Sequence, residues 1–422
     1  MASFRFLHAA DLHIDSPLRG LEPDAPADRI RGATRAAYTN LVDLALREQV
    51  AFVVIAGDLF DGEWQDWRTG AFFVGETLRL TRAGIRVYAI RGNHDAQSVV
   101  SQHLALPEGA RMLRAGQPES IRLAEHNACI HGQSFATREV TENLALAYPP
   151  PLPGHFNIGL LHTAAGGRAG HAAYAPCSTE QLANHGYHYW ALGHVHAREV
   201  LLRDPCWIVF PGNTQGRHAN EAGAKGATLV TVQDGRIADV AHRVLDAVRW
   251  AQAVVDLDGV ATLEAALARV RAQVAEDVSH AQGRLLALRL TLQGASALHP
   301  HLVRDLGATR DMLRAEAAAC AADGEVWLES AHLRTRPALD RAALRARADA
   351  VGQLVRAIED GDGTRLAEGA KSYAAALLNR AGTLRAALGE EHPAVQAAAG
   401  TLAPELLERA KDLLLARLAE DA

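Results

Sequence analysis

Six runs of apolar, β-rich residues constrain this chain more than anything else in it, because each stops at a short polar motif. Phe4–Ala10 ends at Asp11-Leu12-His13, and Val50–Ala56 ends at Gly57-Asp58-Leu59-Phe60-Asp61. Ile85–Ile90 leads into Gly92-Asn93-His94-Asp95, and Asn157–Leu161 into His162 of Gly-Leu-Leu-His-Thr. Tyr187–Leu192 meets Gly193-His194-Val195-His196, and Cys206–Phe210 meets Pro211-Gly212-Asn213. Strands that are apolar throughout, without alternation, are buried on both faces. Helical patterns separate the early ones: Ala33–Glu48, with Tyr38, Leu41, Leu44 and Ala45 on one face, and Ala71–Ala83. The expected fold is therefore α/β, a layered sheet structure flanked by helices. In such folds ligands gather outside the carboxyl ends of the strands, and every motif sits at such an end. Thr228–Val232, Asp234-Gly235 and Ile237–Val244 read as a closing hairpin with a primed turn.

The motif residues are hard and borderline metal ligands. Asp11 and His13 are two apart, as are His194 and His196, so each pair points one way from a strand end. A carboxylate such as Asp58 is suited to bridge two dications, and Asn93 offers a neutral carbonyl oxygen. A nitrogen–oxygen set without sulfur suits manganese, iron or zinc. Two such ions share a water, lower its pKa and clamp phosphate oxygens, so the motif set points to cleavage of phosphate esters. His94 is the candidate proton donor to the leaving group, with Asp95 to orient its ring. His8 reads as a core or supporting histidine, and Asp61 as a support for the Asp58 loop or a turn residue. Arg91, Arg217 and His218 are candidate substrate-phosphate contacts.

Composition narrows the classes. The 422 residues suffice for two or three domains. No apolar run approaches the ~18 residues needed to span a bilayer, and the first residues lack the basic and apolar regions of a signal peptide. The expected location is cytoplasmic, with no membrane association. Four scattered cysteines form no C-x-x-C pair, against a zinc knuckle or a disulfide framework. A net charge of −6 argues against binding nucleic acid through bulk positive charge, although a local arginine groove remains compatible with it.

After residue 245 the pattern changes. Val254–Leu257, the amphipathic stretch Leu263–Val278 and Leu285–Leu292 read as a small βαβ-like unit. Beyond Asp340 the chain reads as helical. Leu344, Val351, Leu354, Val355 and Ile358 mark one helix that ends at Gly361-Asp362-Gly363. Leu366 to Leu388 mark a second, and Pro404 opens a third that carries Leu406 to Leu418. The expected division is 1–245, 246–335 and 336–422.

The motif order D-x-H, G-D-x-x-D, G-N-H-D, H, G-H-x-H resembles the calcineurin-like metallophosphoesterase superfamily. Leu7-His8-Ala9-Ala10-Asp11-Leu12-His13-Ile14-Asp15-Ser16-Pro17-Leu18 is similar to the DNA repair exonucleases of the SbcD type, most of all to the YhaO-like branch. Pro211-Gly212-Asn213-Thr214-Gln215-Gly216-Arg217-His218, followed by Gly226, points to the same branch. The resemblance implies a metallophosphoesterase β-sandwich over 1–245, a small α+β cap that selects DNA over 246–335, and a helical, partner-docking region over 336–422. It implies one metal held by Asp11, His13, Asp58 and His196 and a second by Asp58, Asn93, His162 and His194, with manganese preferred and iron or zinc as substitutes. It implies a hydrolase, a DNA exonuclease or endonuclease working in repair. In it a hydroxide between the metals attacks phosphorus, and His94 protonates the leaving group. It further implies a homodimer and an SMC-like coiled-coil ATPase partner of the SbcC/YhaN type. Two other readings stand beside it: a small-substrate phosphoesterase acting on nucleotides or cyclic nucleotides, and a scaffold for an ATPase and DNA ends.

Overall fold

The computed structural model describes residues 3–16, 26–61, 67–97, 104–166, 174–321, 325–360, 364–380 and 392–401, with isolated positions between 388 and 415. The chain divides into two compact units. The first holds residues 1–252, 277–289 and 321–329; the second holds 253–276, 290–320 and 330–422.

The first unit contains two six-stranded sheets. Strands β1 (Phe4–Ala9), β2 (Phe52–Ala56), β3 (Arg86–Ile90) and β4 (Ala110–Met112) run parallel in one of them. The second is built on β5 (Glu119–Leu123), β6 (Ala128–Gly132), β7 (Phe156–His162), β8 (Tyr189–Gly193), β9 (Glu199–Leu202) and β10 (Trp207–Phe210), in the order β5-β6-β7-β8-β10-β9. The hairpin β11 (Gly226–Gln233) and β12 (Arg236–Val244) completes the first sheet beside β1, antiparallel to it. Its turn residues Asp234 and Gly235 have φ of 51° and 75°, as the primed turn requires.

The sheets face one another across a core of Phe6, Phe52, Val54, Ile130, Ile158, Leu160, Tyr189 and Val209. Helices α1 (Ala27–Glu48) and α2 (Trp67–Arg82) cover the other face of the first sheet. There Tyr38 stacks on Phe73 at 5.1 Å. The expected face of α1 is the buried one, since Tyr38, Leu41, Leu44 and Ala45 all lie in this core. The outer face of the second sheet buries Trp190, Leu192, Ile208 and Phe210, with Leu182 of the short helix α3 (Thr179–Asn184). Both faces of both sheets are thus covered, which is why the central strands are apolar throughout. Parallel pairing places the carboxyl ends of β1, β2 and β3 on one edge of their sheet, and those of β7, β8 and β10 on one edge of theirs.

Strands β13 (Val248–Asp256), β14 (Leu285–Ser296) and β15 (Val326–Pro337) form a third sheet in that order. β13 starts six residues before the expected Val254–Leu257 run, β14 continues four residues past the expected Leu292, and β15 was not expected at all. Helix α4 (Leu263–Ala281) continues past the expected stretch, and α5 (His299–Arg304) and α6 (Leu306–Ala319) follow β14. The single helix expected through Leu344 and Ile358 is instead two, α7 (Arg341–Ala346) and α8 (Ala350–Asp360). Arg347 turns extended, with φ −61° and ψ 139°, and the Asp349 carboxylate accepts the Gly352 amide hydrogen at 3.0 Å, starting the chain on a new axis. Helices α9 (Thr364–Arg380) and α10 (Pro393–Ala398) come next. Gly361–Gly363, Ala381, Leu384, Leu413, Leu414 and Leu418 lie outside the described residues. No helix among the described residues is long and apolar enough to cross a membrane.

Candidate metal centre

Loops from both sheets meet at the carboxyl ends of their strands. The segments after β1 and β2 run side by side: Asp11 N donates to Gly57 O, His13 N to Asp58 O and Ile14 N to Leu59 O, each at 3.0 Å. This course needs unusual backbone. Asp11, His13, Asp58 and His194 have φ of 52°, 43°, 53° and 103°, left-handed values that cost an L-residue about 1–3 kcal/mol each and gather at functional sites. Gly57, at φ 94°, lies so close that a Cβ would stand 2.5 Å from His162 Nδ1, and a Cβ on Gly92 would run into Asp58 Oδ1. Small residues here let the loops approach one another.

The side chains converge accordingly. Ligand atoms of Asp11, His13 and His196 lie within 4.8 Å of one another, as do those of His13, Asp58 and His94, and those of Asp11, Asp58 and His162. Asp58 Oδ2 is 3.6 Å from His162 Nε2 and 3.8 Å from His13 Nε2, while Oδ1 accepts the His94 amide hydrogen at 3.0 Å. Asn93 Oδ1 is 3.0 Å from His162 Nε2. Asp58 thus stands between histidines of both sheets, where a bridging ligand belongs. The His194 ring lies 5.3 Å from that of His162, and its backbone N–H donates to both Asp11 oxygens at 3.1 Å. Its side chain is not in any of the three clusters.

Each inner histidine is gripped from behind. His162 Nδ1 donates to Ala56 O at 2.8 Å, His13 Nδ1 to Asp61 Oδ1 at 2.7 Å and His196 Nδ1 to Glu221 Oε1 at 2.6 Å. A proton fixed on Nδ1 leaves the Nε2 lone pair facing inward. Burial pushes the His162 pKa down to about 3 and, with Arg217, that of His13 well below its usual value, so these rings are neutral. His13 Nε2 and His196 Nε2 both turn inward and lie 3.2 Å apart. A nitrogen–carboxylate set of this kind fits a divalent transition metal. Burial also lifts the carboxyls: Asp11 titrates well above its usual range, raised further by Asp58, and Asp58 is pushed up to about 6. The Arg217 guanidinium lowers both carboxyls but does not cancel the effect of burial.

The remaining expected residues take varied places. His94 is one-third exposed at the rim, its Nδ1 3.3 Å from Asp61 Oδ1. Asp95, read from the sequence as the group that orients His94, is turned elsewhere. Its carboxylate is fully buried and accepts the amide hydrogens of Leu59, Phe60 and Gly92 at 3.0–3.1 Å. It ties the Asp58 loop to the Asn93 loop, and Asp61 is the carboxylate beside His94. His8 is buried between the sheets, bonded to Tyr189 and Leu192. Arg91 follows β3, and its backbone N–H donates to Ser134 Oγ at 3.0 Å. His218 is exposed, 3.7 Å from Glu221. Arg217 is only 16% exposed, its guanidinium between Glu221 and Asp61. Burial opposes ionisation of Asp61 and Glu221, yet their histidine and Arg217 partners hold both carboxyls well below the usual range. Sequence reasoning missed Glu221 altogether. Its one local signal is its place four residues after Arg217.

Residues 4–198 match the calcineurin-like phosphoesterase family model, and residues 250–336 match the middle domain of the metallophosphoesterase YhaO. The chain is 36% identical over 304 residues to metallophosphoesterase YhaO of Bacillus subtilis, covering 70% of this chain and 73% of that one. It is 24% identical over 241 residues to the DNA double-strand break repair protein Mre11 of Sulfurisphaera tokodaii, covering 54% of this chain and 60% of that protein. To Mre11 of Aeropyrum pernix it is 36% identical over 100 residues, 24% of this chain and 23% of that one. With an acceptor-lined centre at the strand ends and this degree of identity along most of its length, the chain belongs to the calcineurin-like metallophosphoesterases, in the family of YhaO.

Proposed function

We propose that this metallophosphoesterase is a two-metal phosphodiesterase that cuts DNA as a nuclease in repair. The observation that carries the reading is the convergence of ligand atoms of Asp11, His13, Asp58, Asn93, His162 and His196. Asp11, His13, Asp58 and His196 would hold one ion, and Asp58, Asn93, His162 and His194 the other. Manganese is the first candidate, then iron or zinc. Bound ions of this kind lower the pKa of a water and neutralise charge on phosphate oxygens. The chain's own groups do the rest. Asp61, ionised, lies 3.3 Å from His94 Nδ1 and stands beside the ring that would pass a proton to the departing oxygen. The one-third exposure of His94 lets substrate reach it, whereas His13 behind it is sealed.

The preference for DNA over a small ester rests on the likeness to the two Mre11 proteins. On this reading residues 246–335 select DNA, residues 336–422 dock an SMC-like coiled-coil ATPase, and the chain works as a homodimer in the cytoplasm. The test is incubation of the purified protein and manganese with end-labelled linear duplex DNA, beside Asp58→Ala and a chromogenic phosphodiester. Metal-dependent degradation of DNA that Asp58→Ala abolishes is the expected result, and the product ladder gives the polarity. Hydrolysis of the small diester with DNA left intact, also after addition of the ATPase, would overturn the nuclease reading in favour of a small substrate.

A further inference from the structure

The loop after β10 lies beyond residue 198, where the match to the phosphoesterase family model ends. It nevertheless reaches the centre. Gly212 has φ 79°, and a Cβ there would stand 2.9 Å from His196 O and Arg198 N, so the loop is pressed against the His196 segment. Within it Glu221 accepts four hydrogen bonds from three residues. Oε1 accepts from His196 Nδ1 at 2.6 Å and from the Arg217 guanidinium at 3.1 Å. Oε2 accepts from Asn213 Nδ2 at 2.9 Å and from the Arg217 amide at 2.8 Å. The same guanidinium donates to Asp61 Oδ1 at 3.4 Å, and Asp61 backs His13 at 2.7 Å. One planar cation therefore joins the two carboxylates that hold the two histidines whose Nε2 atoms are 3.2 Å apart.

We propose that Arg217 is a positioning residue for metal: through Asp61 and Glu221 it sets the spacing and ring orientation of His13 and His196 around one divalent ion. The guanidinium fork has fixed geometry and permanent charge, so it holds the carboxylates at a set separation, which a flexible ammonium would not. Glu221 and Asp61 in turn fix the proton on each Nδ1, and outer partners of this kind are typically worth about 10–100-fold in metal affinity. The inference rests on the metal reading of the centre.

The test is titration of the full chain with Mn2+ by calorimetry, with the electronic absorption of the Co2+-loaded protein as a second readout. The proteins are wild type, Arg217→Met, Arg217→Lys and Glu221→Gln. One of the two binding events should weaken about 10–100-fold in Arg217→Met and Glu221→Gln. The other should stay in place, and the Co2+ spectrum should change because the nitrogen ligands have turned. Arg217→Lys, which keeps the charge without the fork, should recover only part of the loss. Should Arg217→Met not fold, Arg217→Lys and Glu221→Gln carry the comparison. Wild-type affinity and an unchanged Co2+ spectrum in the variants would overturn the inference while the metal reading stood. A wild-type chain that bound no ion would overturn both.

Discussion

His8 offers a direct measure of how burial between the sheets acts on a titrating group. Its Nδ1 accepts from the Tyr189 hydroxyl at 2.9 Å and its Nε2 donates to Leu192 O at 3.0 Å, so a single ring proton satisfies both partners. The ring is wholly buried, and burial pushes its pKa down from 6.5 to about 3. Because the folded pKa is the lower one, the unfolded chain takes up the proton first as pH falls. The stability tied to neutral His8 is complete above about pH 6.5 and is lost between there and about pH 3. One unit of pKa difference is worth about 1.36 kcal/mol, and integration from pH 7 to pH 5 gives a loss of about 2 kcal/mol. The assay is urea unfolding at the two pH values, after chelation of metal, in wild type and His8→Gln. Glutamine keeps an N–H for the Leu192 carbonyl and does not titrate. Buried His13 and His162, lowered like His8, and Asp11 and Asp58, raised in the opposite sense, act alike in both proteins and cancel. Wild type should lose about 2 kcal/mol more than His8→Gln. Equal losses in the two would refute the assignment of His8 as a buried neutral bridge between the sheets.

Two further substitutions separate the roles of neighbouring residues in the Gly92–Asp95 turn. His94→Gln should bind Mn2+ with wild-type stoichiometry while kcat on a phosphodiester falls by about 10²–10⁴, as for loss of a general acid; calorimetry and steady-state kinetics read the two quantities. Asp95→Asn should lower the urea midpoint by the equivalent of about 1–3 kcal/mol, because an amide cannot accept from all three of the Leu59, Phe60 and Gly92 N–H groups and strands at least one of them.

Much of the centre was legible before any fold was known. Strand ends announce themselves by apolar runs that stop at glycine or a carboxylate. Asp11 and His13 do fall in one cluster, with His196, whereas the His194 side chain lies outside the three clusters. What stayed hidden depends on which loops meet. Asp95 lies next to His94 in sequence, yet its carboxylate serves amides some 35 residues earlier in the chain, and Asp61 takes the place beside His94. Arg217 and Asp61 are 156 residues apart. Glu221 sits in a stretch with no periodicity and no motif, so only the packing of the β10 loop against the His196 segment shows its task. The break between α7 and α8 was hidden for a related reason: the apolar spacing of Leu344, Val351 and Ile358 continues across Arg347–Asp349, and the cap that ends the pattern is a hydrogen bond. By itself the sequence determined the strand-end motifs, their order and the hard nitrogen–oxygen character of the ligands, because these depend on residue type and on contacts within a few positions. Tertiary structure alone decided which carboxylate stands behind which histidine, since that choice is made where loops that follow different strands come within hydrogen-bonding distance.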